Sequence, residues 1–140
     1  MTTETPASSP VRSRLSATRT GMTKKVVIAG KYDLYITLNF FENDQPGELF
    51  VVTSTHGSTI SGLCDTIAVM VSMNLQVGVP LAMIAAKLRH VTFEPRDDQY
   101  ASYVDAIAKT MLELASQRGS HIDLSCRSER VQWATPLEAS

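Results

Sequence analysis

Two glycines and three hydroxyls stand together in His56-Gly57-Ser58-Thr59-Ile60-Ser61-Gly62. Glycines let backbone N–H groups approach a ligand closely, and Ser58, Thr59 and Ser61 add hydroxyl donors. An apolar stretch with helical spacing follows. A helix start offers free N–H groups and the positive end of the dipole, which suits a phosphate. The same residues have a plainer use. Ser58 or Thr59 caps the helix, and Gly62 lets that helix pack tightly against a sheet. Both readings stand at the level of sequence. The run is not a Walker loop, because no Gly-Lys-Ser/Thr follows it. Asp65 falls one turn beyond Ser61, where it orients that hydroxyl, binds a sugar hydroxyl or makes a local helix hydrogen bond.

A second group is cationic. Residues 1–25 carry Arg12, Arg14, Arg19, Lys24 and Lys25 against the single acid Glu4. The guanidinium fork of an arginine matches a phosphate, while a solvated tail is the bland alternative. A third group is Arg89 and His90 with Phe93 and Arg96. An aromatic and two guanidiniums could hold a base and a phosphate. Helix C-terminal charge beside one core phenylalanine explains them equally.

Other chemistries find no residues. His56, His90 and His121 lack ligand spacing, so no metal is expected. Cys64 and Cys126 form no CxxC pair, and Cys64 sits in an apolar run as a small core residue. No nucleophile, base and orienting group assemble into a catalytic set, so no catalytic residue and no cofactor are expected.

The 140 residues suit one domain, with 44% hydrophobic and 19% charged residues. A net charge of −1 excludes a global field toward nucleic acid or membrane. The start lacks the apolar stretch of a signal peptide, and the apolar run around Ile67 is bounded by Asp65, Ser72, Asn74 and Gln76. The expected location is the cytoplasm, with no membrane partner.

The elements that must position these groups change period along the chain. Residues 1–23 are rich in Ser, Thr, Pro and Arg and read as a flexible arm. Lys25–Ile28 begins a strand. From Tyr32 to Phe41, Leu34, Ile36, Leu38 and Phe40 alternate with Tyr35, Thr37, Asn39 and Phe41, a half-buried strand. Asn43–Gly47 is a turn, and Glu48–Thr53 completes an antiparallel hairpin. A helix then runs to about Val77, apolar on nearly all sides and therefore expected to be central and buried. Gly78 ends it, and Pro80 opens a second helix reaching about His90. Phe93-Glu94-Pro95-Arg96 is a rigid connector, and a third helix covers about Gln99–Ser116, closed by Gly119. Residues 119–140 read as a tail with one short strand at Ile122–Leu124. The expected fold is α+β, a small antiparallel sheet packed against about three α-helices, with the domain spanning residues 24–118.

Several stretches, in this order and spacing, resemble one family. They are Arg12-Ser13-Arg14-Leu15 with Arg19 and Thr23-Lys24-Lys25, Tyr35-Ile36-Thr37, Gln45-Pro46-Gly47-Glu48-Leu49-Phe50, Gly57-Ser58-Thr59-Ile60-Ser61-Gly62-Leu63, Leu75-Gln76-Val77-Gly78-Val79-Pro80-Leu81 and Phe93-Glu94-Pro95. Over residues 12–116 the chain resembles the C-terminal accessory domain of the adenosylcobalamin-dependent, class II, ribonucleotide reductases. The resemblance implies the setting of nucleotide reduction without its chemistry. That family's catalytic barrel, radical cysteine, cobalamin site and redox cysteine pair have no counterpart in these residues.

Three functions remain in play. One is a non-catalytic nucleotide-binding or regulatory module of deoxyribonucleotide synthesis, with a ribonucleotide reductase chain as a partner. Another is a viral sponge that sequesters cyclic or other signalling nucleotides against host defence. The last is a structural interaction domain. The first two share a nucleotide or other phosphate-bearing small molecule, expected at the helix start near Ser58 with the arm arginines closing over it. A homo-oligomer is also expected. A three-stranded sheet leaves open edges, and Phe40 and Phe41 cannot both face one core from one strand.

Overall fold

The computed structural model describes residues 11–54, 58–120 and 122. Strands β1 (Thr20–Ile28), β2 (Tyr32–Phe40) and β3 (Pro46–Thr53) precede helices α1 (Thr59–Gln76), α2 (Leu81–Leu88) and α3 (Tyr103–Arg118). The sheet has the order β1-β2-β3 and is antiparallel throughout. This is the α+β arrangement that the switch in period implies.

Alternation decides which face of the sheet is covered. Leu34, Ile36, Leu38 and Phe40 of β2 are buried, as are Val26 and Ile28 of β1 and Leu49 and Val51 of β3. They form one core with Cys64, Ala68, Val71 and Leu75 of α1 and with Ile107, Met111 and Leu114 of α3. Helix α1 packs on β3, α3 reaches β1 and β2, and α2 packs on α3. The other face of the sheet carries Val27, Tyr35, Phe50 and Val52, all exposed.

Several boundaries differ from those read in the sequence. Strand β1 starts at Thr20, so Thr20–Thr23 belong to the sheet rather than to an arm. The polar Thr23 is accommodated because its hydroxyl meets that of Thr37 across the ladder, 2.7 Å away. Helix α3 starts at Tyr103 rather than near Gln99. Asp97 Oδ1 accepts from the N–H groups of Gln99 and Tyr100, which holds a turn there, and Ser102 then caps the helix on Asp105 N. The connector before it contains a cis Glu94–Pro95 peptide.

Helix α1 also departs from its expected central place. One side faces the core, but Leu63, Val69 and Met70 are 58%, 57% and 54% exposed. A three-stranded sheet covers only one side of a helix, so apolar residues all round do not bury this one. The supposed strand at Ile122–Leu124 lies outside the described residues apart from Ile122, which packs against the core.

The edge of β3 is covered at Gly47 and Leu49. Ser72 Oγ of α1 accepts from Leu49 N at 2.9 Å, and its single proton is shared between Ala68 O at 2.8 Å and Leu49 O at 3.2 Å. Gln76 Nε2 donates to Gly47 O at 3.0 Å. Helix side chains thus satisfy the ladder groups that an edge strand leaves unpaired.

Candidate functional site

Gln76 is the last residue of α1, and its burial among apolar neighbours demands that its polar atoms be satisfied. Its amide Nε2 goes to Gly47, as above. Its side-chain oxygen accepts from Arg12 Nε at 2.5 Å, and its backbone oxygen accepts from Ser13 N at 2.8 Å. One residue therefore ties the N-terminal segment to the end of a helix and to an edge strand. A second tie is steric. A Cβ placed on Gly47 would lie 2.6 Å from the Phe41 ring and 2.9 Å from Leu15, so Leu15 and Phe41 close over that glycine. Phe40 faces the core while Phe41 faces the N-terminal segment. Both aromatics are thus accommodated within one chain, and the pair gives no reason for an oligomer.

Between these parts lies a cleft of about 860 Å³. Ser13, Arg14 and Ser16 line it from the N-terminal segment, Glu42, Asn43 and Gln45 from the β2–β3 turn, and Gln76 to Val79 from the end of α1. Arg14 makes no hydrogen bond or ion pair among the described residues, and its guanidinium is exposed. One guanidinium and one carboxylate make the cleft polar rather than strongly cationic. Its hydroxyl, amide and backbone groups can read a ligand by hydrogen bonds, with Arg14 available for an anionic group.

The residues singled out in the sequence fall into three separate places. Arg12 and Arg14 lie at the C-terminal end of α1, whereas Ser58, Thr59, Ser61 and Asp65 lie at its N-terminal end. Eighteen helical residues hold the ends roughly 27 Å apart. The arm arginines therefore do not close over the helix start, because the hydrogen bonds to Gln76 anchor the arm at the opposite end. Ser58 caps α1 by accepting from Ser61 N at 3.1 Å. No side-chain hydrogen bond joins Ser61 and Asp65 among the described residues. Gly62 does not serve packing against the sheet, since a Cβ there would meet nothing within 4 Å. His56 and Gly57 lie outside the described residues, as do His121 and Cys126.

Arg19 is engaged by Glu48, with Nη1 to Oε2 at 2.9 Å, and Glu48 also accepts from Asn39 Nδ2 at 2.8 Å. Arg89, Phe93 and Arg96 form the third place, the connector after α2. Arg96 pairs with Glu94 at 3.1 Å, and Phe93 is exposed. Two carboxylates hold this connector. Asp97 Oδ2 accepts from Ala29 N at 2.8 Å, and that hydrogen bond, followed by the one from Tyr100 N, keeps its carboxyl below the usual value of 3.8. Asp105 is fully buried and accepts from His90 N, Ala101 N and Lys109. Burial pushes its pKa up, but Lys109 and the two backbone donors outweigh it, and the net shift is downward.

Sequence reasoning missed Ser13, Ser16, Asn43, Gln45 and Gln76 as site residues. A signal for Gln76 was present, since a glutamine one turn beyond Ser72 occupies the core-facing side of an apolar helix. No group of His, Cys, Asp and Glu that could hold a metal ion occurs among the described residues. None of the described helices is long and apolar enough to cross a membrane.

A three-stranded antiparallel sheet with helices on one face, an N-terminal segment locked to the last turn of α1 and a cleft beside that lock define the class of this domain. The chain belongs to the TSCPD domain family, which matches residues 7–115. It is 38% identical over 107 residues to a vitamin B12-dependent ribonucleotide reductase of Rhodopirellula baltica, covering 71% of this chain and 10% of that protein. A protein of the same name from Streptantibioticus cattleyicolor is 40% identical over 86 residues, covering 61% of this chain and 14% of the relative. One from Bradyrhizobium diazoefficiens is 29% identical over 84 residues, 60% of this chain and 7% of its own. The chain thus spans about a tenth of the length of the curated relatives it matches and corresponds to an accessory part of them. No solved structure matches.

Proposed function

We propose that this chain is a non-catalytic, nucleotide-binding regulatory module of deoxyribonucleotide synthesis that acts together with a ribonucleotide reductase chain. Its nucleotide sits in the cleft between the N-terminal segment, the β2–β3 turn and the end of α1. One observation carries this reading. Three stretches that bear the family resemblance, Arg12–Leu15, Gln45–Glu48 and Leu75–Pro80, are far apart in sequence and converge on that cleft. Its volume of about 860 Å³ suits a ligand of nucleotide size. Arg14 supplies a planar donor to a phosphate, while Ser13, Ser16, Asn43 and Gln45 supply donors and acceptors to a sugar and base.

The test is calorimetric titration of the full chain with nucleoside triphosphates, deoxynucleotides and cyclic dinucleotides. A charge-assisted hydrogen bond contributes about 1.5–3 kcal/mol, so Arg14→Ala should weaken binding about tenfold or more. Arg96→Ala, in the distant connector, should leave it unchanged. Absence of binding below millimolar would refute the ligand site. Copurification with a vitamin B12-dependent reductase tests the partner. Tight binding of a cyclic dinucleotide without any reductase association would turn the reading toward sequestration of signalling nucleotides.

A further inference from the structure

Helix α1 has two apolar sides, and only one belongs to the core. Cys64, Ala68, Val71 and Leu75 face inward. On the opposite side, Leu63, Val69, Met70, Met73 and Val77 are all exposed, with Gly62 and Thr66 on the same arc at helical spacing. The eighteen residues of α1 contain a single charge, Asp65, and the helical period sets it off this arc. A surface helix normally carries charged and polar residues on its outer side.

Gly62 is a second and independent observation. A Cβ at this position would meet nothing within 4 Å, so its own fold has no need of a glycine there. A glycine inside an exposed helix weakens that helix relative to alanine. Something outside the chain that approaches the backbone closely gives the missing side chain a use.

The order of sizes along the arc identifies what approaches. We propose that α1 is a homodimer interface, in which two copies pack antiparallel about a two-fold axis passing between Val69 and Met70. That axis sets Gly62 opposite Val77, Thr66 opposite Met73, and Val69 opposite Met70. Gly62 and Thr66 in the first half of one helix receive Val77 and Met73 of the other, while Leu63 flanks the arc at its edge. A closed two-fold contact requires this self-complementarity, and a different partner chain would have no need of it. The arc carries no charge, so two copies meet without like charges opposed. One helix face roughly 27 Å long lies near the lower end of specific interfaces, about 1,200 Å² in total. The dimer is therefore reversible rather than obligate. This inference is independent of the nucleotide cleft, which lies beside the helix end.

Analytical ultracentrifugation of the full chain should show a monomer–dimer equilibrium at micromolar concentrations. Val69→Glu, which opposes carboxylates near the axis, should shift it to monomer. Gly62→Ala should raise the thermal midpoint of the monomer while weakening association, a pair of effects that simple misfolding does not produce. Geometry is tested by cross-linking in a Cys126→Ser background. Met70→Cys should form an intermolecular disulfide under mild oxidation. Ile60→Cys should not, because its two copies lie roughly 28 Å apart along the antiparallel pair. A monomer at all accessible concentrations would overturn the proposal. So would a dimer indifferent to Val69→Glu, or one that cross-links through position 60 in preference to position 70. Either result would leave the arc to a reductase chain or to another segment of this chain.

Discussion

Gln76 shows how a single side chain can place a site. It has one amide, and each half is used: the oxygen holds Arg12 and the nitrogen holds Gly47. Replacing it by an apolar residue would orphan a buried carbonyl and release a guanidinium together, so its role exceeds that of either hydrogen bond alone. Cys64 is a contrasting case at the same scale. Burial, with a smaller contribution from Asp65, pushes its thiol up to about 11, so it is protonated and shielded at neutral pH. In the native protein Cys64 should resist iodoacetamide at pH 8 and become modified only on denaturation, which peptide mass mapping would read. Rapid native alkylation at Cys64 would contradict its place in the core.

At the scale of elements, the N-terminal segment is the piece whose behaviour differs most from its composition. Serine, threonine and arginine predict a chain without a core of its own, yet Arg12, Ser13, Leu15 and Arg19 each find a partner on the body. The lock depends on the absence of a side chain at Gly47. Gly47→Val should push Leu15 and Phe41 away, at a cost of about 1–3 kcal/mol as for other overpacking. It should also expose the bonds after Arg12, Arg14 and Arg19 to trypsin. Limited proteolysis and thermal melts would check this. An intact segment and an unchanged midpoint would show that the lock tolerates the added bulk. The nucleotide binding proposed for the cleft should weaken in the same variant, because Ser13, Arg14 and Ser16 move with the segment.

Over the whole molecule, two carboxylates hold the connector and the end of α2 to their neighbours. Asp97 ties the connector to the β1–β2 turn at Ala29, and Asp105 ties the end of α2 to α3. Both have folded-state pKa values below 3.8. Their ionised forms therefore stabilise the fold above that value, and the contribution is lost as pH falls through 3.8 toward the lower folded values. Stability followed by chemical denaturation should be flat from pH 7 to 5 and fall steeply below about 4. Asp105→Ala should cost about 3 kcal/mol, because it leaves two part-buried N–H groups and Lys109 without their acceptor, and it should flatten that acid limb. An unchanged acid limb in this variant would assign the acid sensitivity to other groups.

Much of this protein was legible along the chain because it rests on local periodicity. Alternation at Leu34, Ile36, Leu38 and Phe40 determined which face of β2 is buried, and the turn at Asn43–Gly47 determined the hairpin. The switch to helical spacing after Thr55 determined the class of fold. A cap at Ser58 or Thr59 followed from their place before an apolar run, and the fold assigns it to Ser58. Tertiary structure alone decided which groups meet. Arg12 and Ser58 looked like members of one phosphate site because both carry suitable chemistry, but an 18-residue helix separates them. The cleft joins residues 11–16, 41–46 and 75–79, a juxtaposition that no local pattern encodes. The open side of α1 was hidden for a related reason. A helix apolar on all sides looks central in the sequence, and only the number of layers in the folded chain shows that one of its apolar sides stays exposed.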